Sequence, residues 1–317
     1  MAPALQNSQI GFVFTIISII GGILLILQGR NNHVFENAEQ ACHQRLVETK
    51  YFNLESLDKV CCVIVAFFWD ALQHPATMPI LQSFAGVLFT SLALIKFSAS
   101  SSKSGWITLL PVPAGILCQL AGAAIAVPLT FSILWYIGFG DNKTSAKAAA
   151  KGWLPAHLVA FLAPAALFMV PELGADVTTR QKLIAWWTFF SIAAAVLRPV
   201  FAIALPIFGS PKSTYTAIAA ISAPLHWYGV YLFVTNFSRQ MFVPFIAKTP
   251  AQGGAFFLLA DYIVTTLACA LFVIGKNEQL NVAKYGIVAA VAGPGTAIAL
   301  AAADTEDVVV VKAQKTE

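Results

Sequence analysis

Several ionisable side chains interrupt stretches built otherwise from Leu, Ile, Val, Phe and Ala. They are Asp70 and His74 in AFFWDALQHPA, His157, Glu172, Arg198 in AAAVLRPVF, His226 in SAPLHWYGVYLF and Asp261 in FFLLADYIVTT. Such groups are costly in apolar surroundings, so each calls for a partner, a wet cavity or a function. Carboxyls and imidazoles at these positions are the raw material of proton transfer. Asp70 and His74 are spaced to share one helix face, although Pro75 disfavours a helical His74. Asp261 lies well inside its run, where it is either a working acid or the ion-pair partner of Arg198. His226 is either a base or a satisfied hydrogen-bonding residue. Arg198, just before Pro199, is expected to anchor a carboxylate or a helix break. His157 and Glu172 are expected near a membrane interface. Aromatic runs accompany these groups: FFW at 67–69, WW at 186–187, HWY at 226–228 and FF at 256–257. Most suit lipid-facing packing and interfacial belts, but in a dry pocket their faces also stabilise carbocations.

Other chemistries lack their residues. No DDxxD or NDxxD box stands ready to hold Mg²⁺ on a prenyl diphosphate, and no GxGxxG, P-loop, His-rich or GxSxG pattern occurs. The polar stretch 29–58 carries His33, Glu36, Glu39, His43, Glu48 and Glu55 without ligand spacing, and reads as a solvated amphipathic connection. No metal and no cofactor are expected.

The elements that must position these residues follow from composition. The 317 residues are 58% hydrophobic and 11% charged, against roughly 25% charged in soluble domains; the mean hydropathy is +0.74. Lipid must therefore be the solvent for most of the chain. Runs of spanning length without period-2 alternation exclude a barrel. The expected fold is an all-α, polytopic integral membrane helical bundle with eight or nine transmembrane helices. The expected spans are 9–28, 57–74, 79–98, 107–138, 153–172, 182–208, 215–236, 254–275 and 283–303. Residues 1–303 form one membrane domain, and 304–317 form an exposed tail. The first run lacks a basic n-region and a cleavage site, so it reads as a span rather than a signal peptide. The net charge of +4 is spread through short loops, so no nucleic-acid partner is expected. A nine-span reading puts the excess of Lys and Arg, and with it the 29–58 connection, on the cytosolic side. Five cysteines without paired spacing suggest no disulfide framework. No internal repeat is visible, which disfavours transporter folds built from two halves.

Four short motifs carry a resemblance. Phe67-Phe68-Trp69 ends one helix and Leu81-Gln82-Ser83 opens the next; Ser222-Ala223-Pro224-Leu225-His226 and Asp261-Tyr262 follow in order. Together they resemble the fungal membrane-bound terpene cyclases of the ascofuranone/ascochlorin type. Related sequences carry Pro after FFW and the acid three residues later, whereas this chain has Asp70 in the first place and Gln73 in the second. The resemblance implies cyclisation of a linear, epoxidised prenyl chain on an aromatic or polyketide head. Asp261 or Asp70 would be the acid and His226 the base or orienter. Trp69, Trp227, Tyr228 and Tyr262 would be cation-stabilising walls, with Gln73, His74 and Arg198 also against substrate. It further implies the endoplasmic reticulum membrane, a hydrophobic terpenoid substrate and other membrane enzymes of one pathway as neighbours. The rival readings are a small-metabolite transporter and a membrane scaffold whose polar groups pair with one another.

Overall fold

The computed structural model describes residues 2–102, 104–138, 143–169, 173, 175–205, 209–237 and 249–314; Glu172 lies outside them. Among these residues every regular element is a helix. The Ile10–Leu27 run lies within α1 (Ala2–Asn31). A short α2 (Val34–His43) then packs on α3 (Glu55–Ala71), which carries FFW in its last turns. After the HPATMP turn comes α4 (Thr77–Ser101), the most enclosed of the long helices, packed against several others.

From here hydropathy and geometry part. The expected span 107–138 is two helices, α5 (Pro111–Ala121) and α6 (Ala123–Ile137), separated at Gly122, whose φ of 93° suits glycine alone. Next come α7 (Lys143–Ala150), α8 (Trp153–His157), a π-helical turn at Leu158–Leu162 and α9 (Ala163–Met169). The following pair, α10 (Val177–Trp187) and α11 (Phe190–Ala204), meets at a 74° bend. Two long helices, α12 (Pro211–Thr235) and α13 (Pro250–Lys276), precede α14 (Val282–Ala292) and α15 (Pro294–Gln314). The last two are separated at Gly293, with φ 88°.

By length and composition, α1, α4, α12 and α13 can each cross a membrane, and two bent pairs raise the number to six among the described residues. The expected count of eight or nine spans is not confirmed, and the expected spans 107–138 and 283–303 are interrupted. A hydropathy window sees apolar residues on both sides of Gly122 or Gly293 and reads straight through the break. Nor does the last helix stop at 303: it continues to Gln314, burying Thr305, while Asp304 accepts hydrogen bonds from Lys284 Nζ (3.0 Å) and the Tyr285 hydroxyl.

Small residues let the helices approach closely, as membrane packing favours. A Cβ on Gly21 of α1 would stand 2.4 Å from the Ala124 carbonyl oxygen of α6, and one on Gly86 of α4 would stand 2.8 Å from Ser222 Oγ of α12. Large apolar side chains on α1 (Ile19, Ile23, Ile26), α11 (Val196, Val200, Ile203) and α12 (Tyr231, Val234) face outward. Surfaces of this kind belong against lipid.

One expectation is corrected. Cys42 of α2 and Cys62 of α3 form a disulfide, with Cα atoms 5.9 Å apart; Cys61, Cys118 and Cys269 are free and buried. An odd cysteine count and the lack of a spacing motif gave no hint of it. The pairing arises because the chain reverses over residues 44–54 and lays α2 alongside α3.

Candidate functional site

The break at Gly122 exposes the first N–H groups of α6 inside an apolar setting, where each unsatisfied donor costs several kcal/mol. The carboxylate of Asp261, on α13, supplies both acceptors. Ala123 N donates to Oδ2 at 3.1 Å and Ala124 N donates to Oδ1 at 2.7 Å. Asp261 is 5% exposed. Gly122 is needed for space as well as for φ, since a Cβ there would lie 2.8 Å from Asp261 Oδ1 and 2.6 Å from Leu25 Cδ1. The pairing with Arg198, one of the two readings of Asp261, is not formed; the Arg198 guanidinium donates instead to the Ala148 carbonyl at 3.2 Å.

Asp261 also lines a cavity of ≈ 420 Å³, walled by Phe35, Phe67, Phe68 and Phe257, with Gln119 in its lining. A narrower recess of ≈ 40 Å³, which Asp261 also lines, reaches Phe84, Phe161 and Trp187. The phenylalanines form a continuous wall. Phe67 meets Phe68 and Phe257 edge-on, with both centroid distances 5.1 Å, and Phe35 meets Phe257 at 6.1 Å. Gln119 Oε1 is buried without a hydrogen-bond partner, which is unusual in a settled interior. The site is thus a mainly apolar, aromatic-walled cavity with one carboxyl, one amide and the exposed Lys59, whose ammonium donates to Glu55 at 2.8 Å, a composition typical of small-molecule pockets.

A second polar centre lies across α13. Ser83 of α4 hydrogen-bonds His226 Nδ1 at 3.0 Å and lies within reach of the Tyr262 hydroxyl. Three of the four sequence motifs therefore converge on Ser83. His226 is seated on Gly293, where an added Cβ would lie 2.4 Å from the imidazole Cγ. Tyr262 packs on Phe84 at 6.0 Å. His226 and Asp261 are not brought into contact, and His226 does not line the Asp261 cavity.

The other predicted residues are dispersed. Trp227 and Tyr228 are exposed on the outer side of α12. Asp70 is half-buried in the last turn of α3 and does not line the Asp261 cavity. Its neighbour Trp69 lies under Arg180, 5.3 Å from the ring centroid. Gln73 is exposed and donates to the Trp69 carbonyl at 3.2 Å. His74 is buried in the turn, its Nδ1 accepting from Ala76 N at 3.2 Å. His157 stacks on Trp153 at 3.9 Å. Of the residues lining this cavity, the sequence had singled out Asp261 and the FF pairs but not Gln119, Gly122 or Phe35. A glycine within a long apolar run was the available signal for the break.

No curated protein and no solved structure matches the chain. Residues 31–239 match the model of the CtvD domain. That segment holds Asp70, Ser83, Gln119, Gly122 and His226, whereas Asp261 and Tyr262 lie beyond it. On that match the chain belongs to the CtvD domain family, a fungal terpene cyclase-like family.

Proposed function

We propose that the protein is a membrane-bound terpene cyclase of fungal secondary metabolism. It acts on a linear, epoxidised prenylated meroterpenoid within the endoplasmic reticulum membrane. The observation that carries this reading is the buried Asp261 carboxyl facing an aromatic-walled cavity of ≈ 420 Å³. Each carboxyl oxygen accepts one backbone N–H and keeps a second lone-pair direction. One oxygen therefore has a direction left to carry a proton without giving up either bond. In the initiating step that proton passes to the epoxide oxygen, the carbon–oxygen bond breaks, and an alkene of the prenyl chain closes on the carbon. Positive charge then moves along the chain against the faces of Phe67, Phe68 and Phe257. Return of a proton from the final cation to the Asp261 carboxylate gives an isomer of the substrate and restores the acid, so atoms and charge balance. The carboxylate left on Asp261 meanwhile sits at the N-terminus of α6, where the helix dipole favours negative charge. Initiation is assigned to Asp261; Asp70 and His226 lie outside this cavity.

The test is to incubate membranes containing the protein with an epoxidised farnesyl-phenol and look for an isomeric cyclic product. Formation by the wild type and loss in Asp261→Asn, with Asp70→Asn retaining it, is the expected pattern. Loss in Asp70→Asn alone would move the initiating role to α3, and unchanged substrate with wild type would overturn the reading for this substrate class.

A further inference from the structure

A second cavity, of ≈ 170 Å³, shares no lining residue with the Asp261 chamber. Lys96 of α4 and Arg198 of α11 both open into it, beside Ser191, Thr108, Trp153 and His157. Among the described residues, none that lines it is acidic. Lys96 and Arg198 therefore face one space, with His157 on the same wall. Like charges gathered in a half-buried space repel, and the repulsion is relieved when an anion enters between them. The Ala148 carbonyl holds one arm of the guanidinium at 3.2 Å, which orients the remaining donors of its fork. Ser191 is 6% exposed and its Oγ has no hydrogen-bond partner. A buried hydroxyl left in that state marks a place for a ligand or water. Gly115 makes room for it, since an added Cβ would lie 2.5 Å from Ser191 Cβ. The His157 Nδ1–H is already donated to the Trp153 carbonyl at 2.9 Å, so His157 serves as wall rather than donor.

We propose that this cavity binds the oxyanion head of an amphipathic molecule, a carboxylate or a phosphate. Lys96 and Arg198 are its charge partners and Ser191 its hydrogen-bond donor. The volume suits a head group and not a whole lipid, so the apolar tail leaves toward the membrane. Simple snorkelling of two interfacial cations would not need the buried hydroxyl. The inference stands independently of the cyclase reading.

The protein is reconstituted in phosphatidylcholine nanodiscs and titrated with dodecylbenzoate and, separately, with its methyl ester, with empty discs as the blank. The acid is expected to bind about tenfold more tightly than the ester at low salt, with the gap narrowing at high salt. Arg198→Gln and Lys96→Met each remove most of that gap and leave ester binding unchanged. Discs containing phosphatidate identify the source. Displacement of the benzoate, with phosphatidate retained in native mass spectra, points to a lipid phosphate; benzoate binding that persists points to a free carboxylated amphiphile. Both outcomes support the site. Equal binding of acid and ester by the wild type, with no phosphatidate retained over phosphatidylcholine, overturns it even if the variants fail to fold.

Discussion

Replacing Asp261 with asparagine separates two tasks of one carboxyl. Asparagine keeps one acceptor for the N–H groups at the start of α6 but turns an amide toward the other. The expected outcome is a fold that persists at lower stability, with turnover of an epoxidised prenyl-phenol reduced about 10²-fold or more, as for loss of a general acid. Product yield per folded protein, with folded protein counted by size exclusion, checks this. A stability loss without a fall in yield would leave Asp261 as a cap alone. Ser83→Ala removes the hydroxyl bonded to His226 and should lower stability by about 1 kcal/mol, read from thermal unfolding in detergent. At this scale the sequence was partly legible. A carboxyl within an apolar run announces itself, so the burial of Asp261 in the bundle was expected. Its partners are backbone N–H groups 137 and 138 residues away, and no side-chain pattern records those. Lys96 went unnoticed because LALIKFSAS reads as an ordinary helix end, and its significance comes only from Arg198 arriving beside it.

Helix breaks, more than helices, set the geometry between residues. Gly122→Ala forces a side chain into a φ of 93° and against both Leu25 and Asp261. Strain of this kind costs about 1–3 kcal/mol, so the unfolding midpoint should fall, and product formation should fall with it because the carboxyl is displaced. The Cys42–Cys62 clasp is a second element-scale device. It closes a loop of sequence separation 20, for which chain entropy gives about 3 kcal/mol. Cys42→Ser should therefore lower stability by up to about that amount, and a reductant should lower the wild type but not the variant. At the start of α10, Thr179 N (2.8 Å) and Thr179 Oγ1 (3.0 Å) donate to Asp176 and hold its carboxyl below the ordinary value near 3.8. A lowered folded value gives stability that is present above the unfolded value and lost as pH falls through the folded one. Protection of the Thr179 amide, taken relative to its intrinsic exchange rate at each pH, should fall at acid pH, and in Asp176→Ala that change in protection should be gone. Hydropathy located most of these helices, since apolar runs of such length have few alternatives. It missed the bends because local backbone torsion at Gly122, at 187–190 and at Gly293 leaves composition unchanged.

Across the whole molecule, the long helices present apolar faces outward while α4 stays enclosed. That division was legible from composition: 58% hydrophobic residues leave few other ways to dispose of the surface. Which end of the bundle faces which compartment is another matter. The excess of Lys and Arg favoured a cytosolic 29–58 connection, but a disulfide persists where the surroundings are oxidising and is rare in the cytosol. The Cys42–Cys62 bond therefore predicts the opposite orientation, with the α2–α3 hairpin in the lumen of the secretory system. A glycosylation acceptor inserted in residues 46–53 should then be modified in microsomes, and an unmodified insert would return the hairpin to the cytosol. The same bond bears on how the protein is made. A bacterial host whose periplasmic oxidation is disabled supplies lipid and translation but not the oxidation that closes this hairpin. Chains produced there would carry every residue of the Asp261 chamber yet hold Phe35 and Phe67, which flank the clasp on α2 and α3, less firmly than chains matured through a eukaryotic secretory membrane.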